Sequence, residues 1–166
     1  MLGGSEPIVV NTGPLIALQA CGQLELLGRL HSTVLIPADV AQELGRGRAA
    51  PDGNGPPSIG HPPFQVRALR TAPSPFLADY LDSGEAAVIA LAVEQHVNLV
   101  AIDERRGRMV ARSCGLRVTG SIGILLRAKR LGHLPEIHPS ILRMTAAGVW
   151  LSDALVHAAL SEAGEQ

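Results

Sequence analysis

The sequence predicts an α/β fold with a mostly parallel central sheet and helices on both of its faces. Three observations carry that prediction. Short β-branched runs, such as those at 8–10 and 98–102, alternate along the chain with segments of helical periodicity, the pattern of consecutive strand and helix units. The segment 83–95 is apolar nearly all round through Ala86, Val88, Ile89, Leu91, Ala92 and Val93, as a crossover helix buried against a sheet must be. At 166 residues the chain is long enough for one domain with a sizeable core, expected to span 1–166, and too short for two ordinary ones.

Each element follows from local chemistry. Ile8 to Val10 reads as a strand, and Thr12 followed by Pro14 has the form of a helix start with proline near the first helical position. Apolar residues at Leu15, Ile16 and Leu18, then at Leu24, Leu26, Leu27 and Leu30, predict two short helices separated around Cys21 and Gly22. Thr33 to Ile36 is a second strand, and Pro37 opens a helix to about Leu44. Five prolines and three glycines then fall between Pro51 and Pro63, so residues 45–63 read as an exposed loop, either a flexible flap or a dispensable insertion. The stretch Gly45 to Ala50 has the letters of a dinucleotide fingerprint but follows a helix, which excludes the phosphate-cradling turn. Strands are expected at 65–69, 98–102 and 116–119. Helices are expected at 83–95, 104–113 and 121–131, and two more, at 135–146 and 153–162, place C-terminal helices over about 135–163.

Composition narrows the classes. Apolar residues at 46% against 17% charged exclude disorder of the whole chain, and no apolar run approaches the 18 residues of a membrane span. The opening Met-Leu-Gly-Gly-Ser-Glu-Pro lacks the basic and apolar regions of a signal peptide, so a cytoplasmic protein is expected. Cys21 and Cys114 lie in apolar-periodic segments without metal-type spacing and read as small core residues. The six histidines show no paired spacing and read as surface or capping residues; no nucleophile elbow or Ser-His-Asp order points to covalent hydrolysis. Between Arg105 and Arg130 lie eight of the 14 Lys and Arg and no acid, which is either a set of solvated helix faces or a polyanion-binding surface. With aromatics confined to Phe64, Phe76, Tyr80 and Trp150, such a polyanion would be held through its phosphates.

Four oxygen-bearing residues carry the chemistry. Asn11 and Asp103 both fall where a strand ends and a helix begins, the edge of an open α/β sheet at which ligands bind. Glu85, at the start of its helix, can face the same edge, and Glu43 reaches it if the helix after Pro37 passes nearby. Gathered together, they form an oxygen-only site for a hard divalent cation such as Mg²⁺ or Mn²⁺, and so for phosphoryl chemistry. The three acids each also have a plainer explanation: Glu85 favours the positive end of its helix, Asp103 caps the helix after its strand, and Glu43 is a solvated side chain beside a loop.

Five segments in order resemble PIN domains, the metal-dependent nucleases named after the PilT N-terminus, and within them a VapC-like branch. They are Val-Val-Asn-Thr-Gly-Pro-Leu-Ile (9–16), Ile-Pro-Ala-Asp-Val-Ala-Gln-Glu-Leu (36–44), Leu-Asp-Ser-Gly-Glu-Ala-Ala-Val-Ile-Ala-Leu-Ala (81–92), Ile-Asp-Glu-Arg-Arg-Gly-Arg (102–108) and Val-Thr-Gly-Ser-Ile-Gly-Ile-Leu (118–125). The resemblance implies a three-layer α/β/α fold and cleavage of single-stranded RNA by water activated on Mg²⁺ or Mn²⁺. By position it places the family's four acids at Asn11, Glu43, Glu85 and Asp103, with Asn11 standing where an acid is usual. All four are then expected metal ligands, and Glu43, Glu85 and Asp103 the catalytic set. Thr12, Glu104, Arg105, Arg108 and Thr119 are expected to support the site or hold phosphate, with Arg105 where many relatives carry a further acid. A toxin paired with an antitoxin protein is one expected role, and a catalytically weak or inactive RNA-binding or regulatory protein the alternative. A homodimer is expected, because relatives dimerise and the late helices carry apolar stripes.

Overall fold

Strand β1 (Ile8–Val10) is wholly buried and lies at the centre of a five-stranded parallel sheet. The other strands are β2 (Val34–Pro37), β3 (Phe64–Arg67), β4 (Leu99–Ala101) and β5 (Arg117–Thr119), in the order β3-β2-β1-β4-β5. The computed structural model describes residues 5–46 and 56–166. Register is set by Val9 opposite Leu35 on one side and Val100 on the other. Every side chain of β1, β2 and β4 is buried, on both faces, which explains why these strands read as continuous apolar runs instead of alternating.

Nine helices among the described residues complete a three-layer α/β/α fold: α1 (Thr12–Ala20), α2 (Leu26–Leu30), α3 (Ala38–Arg46), α4 (Pro75–Tyr80), α5 (Ser83–Glu94), α6 (Arg105–Ser113), α7 (Ser121–Arg130), α8 (His138–Ala146) and α9 (Asp153–Ala163). Helix α5 packs on β1, β2 and β4, and Ala86, Ala87, Val88, Ile89, Leu91 and Ala92 are buried there. Burying an aliphatic side chain of this size contributes about 1.5–3 kcal/mol, so α5 is held by packing around most of its circumference. Helix α7 buries Ile122, Ile124 and Leu125 and packs against α1, α2 and β5.

Some expectations change. Helix α4 had no counterpart in the sequence reading; Ser74 caps it, its hydroxyl accepting from Leu77 N–H at 3.4 Å, with Pro75 at the first position. Pro37 closes β2 instead of opening α3. Cys21 is buried, whereas Cys114 is exposed at the end of α6. His31 is 2% exposed, contrary to a surface role, with Nδ1 3.2 Å from the Glu6 carbonyl. Of the expected 45–63 loop, residues 47–55 lie outside the described residues; Gly45 and Arg46 belong to α3, and the remainder leads into β3, with His61 stacked on Phe64.

Candidate functional site

The sheet order reverses direction at β1, whose neighbours β2 and β4 are reached by connections running opposite ways. A crevice opens at the carboxyl edge of such a switch point. Asn11 and Asp103 lie there, immediately after β1 and just beyond β4, and Asn11 N–H donates to the Ala101 carbonyl at 3.0 Å, tying the two strand ends together.

Asn11 is the N-cap residue of α1 but makes no side-chain capping bond. Its side chain is buried, and Oδ1 has no hydrogen-bond partner among the described residues. An orphaned buried acceptor costs about 1–3 kcal/mol. An amide oxygen held dry and unsatisfied is suited to a cation or an ordered donor.

Glu43 approaches the same space from α3. Thr12 donates its hydroxyl to Glu43 Oε2 at 2.7 Å, and α3 packs on α5, which brings Glu43 over Gly84. A methyl group on Gly84 would stand 2.9 Å from Glu43 Oε2 and 3.2 Å from Asn11 Oδ1. The absence of a side chain at 84 therefore keeps open the space that both oxygens face.

Asp103 is held from a third direction. Its Oδ1 accepts from Ser121 N–H at 2.8 Å and its Oδ2 from the Ser121 hydroxyl at 3.0 Å. The carboxylate thus caps α7, and not the helix that directly follows its strand. Arg108, which donates to the Ile102 carbonyl at 2.8 Å, stands beside it. Although Asp103 is exposed as a residue, crowding by protein atoms raises its pKa, against the opposing pull of Ser121 and Arg108.

Glu85 is buried and forms a capping box with Asp82: Glu85 N–H donates to Asp82 Oδ1 at 2.8 Å, and Asp82 N–H to Glu85 Oε2 at 3.4 Å. The plain helix-start explanation of Glu85 is therefore realised. Its Oε1 faces Gly107, where an added methyl would stand at 3.0 Å. Burial raises its pKa, reinforced by Asp82 and Glu104 and opposed by Asp82 N–H and Arg106. Asp82, Glu85, Glu104, Arg106 and Tyr80 line a cleft of about 420 Å³ beside the Asn11 group.

The structure thus brings Asn11, Thr12 and Glu43 together, with Asp103 and Glu85 in adjoining shells closed by Gly120 and Gly107. Among the described residues no three Asp, Glu, His or Cys side chains close on a single point. The donors are nevertheless all oxygen, and the unsatisfied Asn11 Oδ1 fits a hard cation such as Mg²⁺ or Mn²⁺. Glu104 and Arg105 are exposed at the start of α6, while Thr119 lines a different cleft with Glu6 and His31. Asp82, Gly84, Gly107, Gly120 and Ser121 all lie within the segments that resemble PIN domains, yet the sequence assigned them no role in the site; Ser121 follows the end of β5, so the strand-end rule that selects Asn11 and Asp103 points to it as well.

The sequence model of a family described as PIN domain matches residues 7–165. Neither curated proteins nor solved structures provide a match to this chain.

Proposed function

Because the chain belongs to the PIN-domain family, a family of nucleases, we propose that it is a Mg²⁺- or Mn²⁺-dependent endoribonuclease that cuts single-stranded RNA. The observation that carries this reading is Asn11 Oδ1, buried without a hydrogen-bond partner among the described residues and facing Glu43 Oε2 across Gly84.

In this reading Asp103 and Glu85 are the principal metal-holding carboxylates, with Asn11 contributing a neutral oxygen. When bound, the metal would lower the pKa of a water and polarise the scissile phosphate. Glu43, fixed through Oε2 by the Thr12 hydroxyl, has Oε1 left to accept the proton of the attacking water. Arg108, pinned to the Ile102 carbonyl, holds positive charge next to Asp103 and positions it. Arg105 and Arg106, exposed at the start of α6, attract the RNA phosphates, an interaction weakened by salt. The raised pKa values of Glu85 and Asp103 mean that both are harder to ionise than ordinary carboxylic acids, and a cation favours their charged forms.

Asn11 also supports a second reading, a catalytically weak or inactive PIN-like protein that binds RNA or regulates, because an amide lacks the charge that concentrates a divalent ion. Pairing with an antitoxin, homodimerisation, action as one domain and a cytoplasmic location complete the proposal; among the described residues no helix is long and apolar enough to cross a membrane.

Cleavage of single-stranded RNA should require Mn²⁺ or Mg²⁺ and stop with EDTA. Asp103→Asn and Glu85→Gln, purified in parallel, should lose it. RNA binding without cleavage in the parent would select the second reading, and equal cleavage by the variants would assign the activity to another site or a contaminant.

A further inference from the structure

A second cleft, of about 480 Å³, opens mainly at the amino-terminal edge of the sheet, away from Asn11 and Glu43. Glu6 precedes β1, His31 precedes β2, and Leu99 and Arg117 begin β4 and β5; all of them line it. The last two turns of α7 form another wall through Ile124, Arg127 and Arg130.

The charges in this cleft are unequal. Arg117 pairs with Glu6, and Arg130 with Glu162 at 3.4 Å. Arg127 is half-buried, and its guanidinium has no hydrogen bond or ion pair among the described residues, although its backbone carbonyl accepts from Leu131 N–H. A guanidinium without a protein acceptor keeps its donors for solvent or for a ligand. Its charge is felt by His31, where burial and Arg127 together push the imidazole down to about 4, so His31 adds no positive charge near neutrality. Leu99 and Ile124 are buried apolar residues on the same walls.

We propose that this cleft binds a small phosphomonoester with a planar or apolar body. Arg127 would grip the phosphate through the fork of its guanidinium, with Arg117 and Arg130 flanking it. The body would lie against Leu126, which lines the cleft and is partly exposed. The volume lies within the range of small-molecule sites. The site is independent of the nuclease reading, since none of the residues proposed for metal binding lines it.

Isothermal calorimetry of the full chain with adenosine monophosphate and with adenosine tests this. Saturable binding of the monophosphate is expected, with no measurable binding of adenosine. Arg127→Met, which keeps the aliphatic stem, should weaken binding at least tenfold, and Arg127→Lys, which keeps the charge but loses the fork, should fall between. Glu43→Gln should bind as the parent does. Equal affinity of the parent for adenosine and its monophosphate would overturn the proposal. So would unchanged monophosphate affinity in a folded Arg127→Met, or in Arg127→Lys should the first variant fail to fold.

Discussion

Thr12 and Glu43, 31 residues apart in sequence, are joined by a 2.7 Å hydrogen bond from the threonine hydroxyl to Oε2 of the carboxylate. Thr12 begins the helix after the central strand, and Glu43 lies in the helix that packs on α5. The bond fixes a carboxylate that is otherwise exposed, and the second oxygen of Glu43 has no hydrogen bond among the described residues.

Thr12→Val should therefore lower kcat for RNA cleavage by about tenfold, the rate equivalent of a hydrogen bond to a charged group worth roughly 1.5 kcal/mol. KM should change little, and Thr12→Ser should restore most of the rate. A loss confined to KM would mean that Thr12 touches RNA and not Glu43.

Gly84→Ala separates site from fold. Alanine fits the first turn of α5, where Gly84 is the second residue, yet its methyl would stand 2.9 Å from Glu43 Oε2 and 3.2 Å from Asn11 Oδ1. Mn²⁺ affinity should drop at least tenfold while the melting temperature stays within a few degrees of the parent. Undiminished Mn²⁺ binding would place the cation elsewhere.

The contribution of His31 to stability should be lost on acidification from pH 7 to 4. Glu85 and Asp103 contribute in the opposite sense, because their raised pKa values favour the folded state as pH falls. His31 has its folded pKa pushed down to about 4, mainly by burial, whereas the unfolded imidazole titrates near 6.5. The unfolded chain thus binds the extra proton between these values, and stability present above pH 6.5 is lost as pH falls toward 4, by on the order of 3 kcal/mol. Glu165 acts at lower pH: burial pushes it up, but Ile137 N–H, Lys129 and His138 N–H outweigh this and lower its pKa, so its contribution is lost as pH falls through the folded value. Urea unfolding at several pH values checks this. His31→Asn should show a flatter profile between pH 6.5 and 4 than the parent, and an identical slope would remove His31 as the cause.

What the sequence revealed, and what it concealed, follows from the range of the interactions. The all-apolar α5 and the buried strands were legible because burial on every side leaves a local composition that little else produces. Helix α4 was not: six residues bracketed by Pro73, Pro75 and a serine cap look like a loop, and Leu77 is its one buried side chain. The positions of Asn11 and Asp103 at the sheet edge could be read from strand ends, since topology alone puts them there. The partners of Asp103 could not, because Ser121 reaches it only when β5 lies beside β4. His31 and Thr119 belong to a different cleft for the same reason, which no local pattern records.

Asn11 Oδ1 faces the divalent cation in the proposed site, and calorimetric titration of Mn²⁺ into the parent, Asn11→Asp and Asn11→Ala reads that placement. Asn11→Asp adds a negative charge at nearly constant volume, and near a partly solvated cation the Coulomb gain is on the order of a few kcal/mol before desolvation and repulsion from neighbouring carboxylates reduce it. Asn11→Asp should bind Mn²⁺ more tightly and cleave RNA faster, and Asn11→Ala should lose little affinity. Unchanged Mn²⁺ affinity in Asn11→Asp would contradict that placement, putting position 11 outside the metal's reach and leaving its buried oxygen without the partner assigned to it.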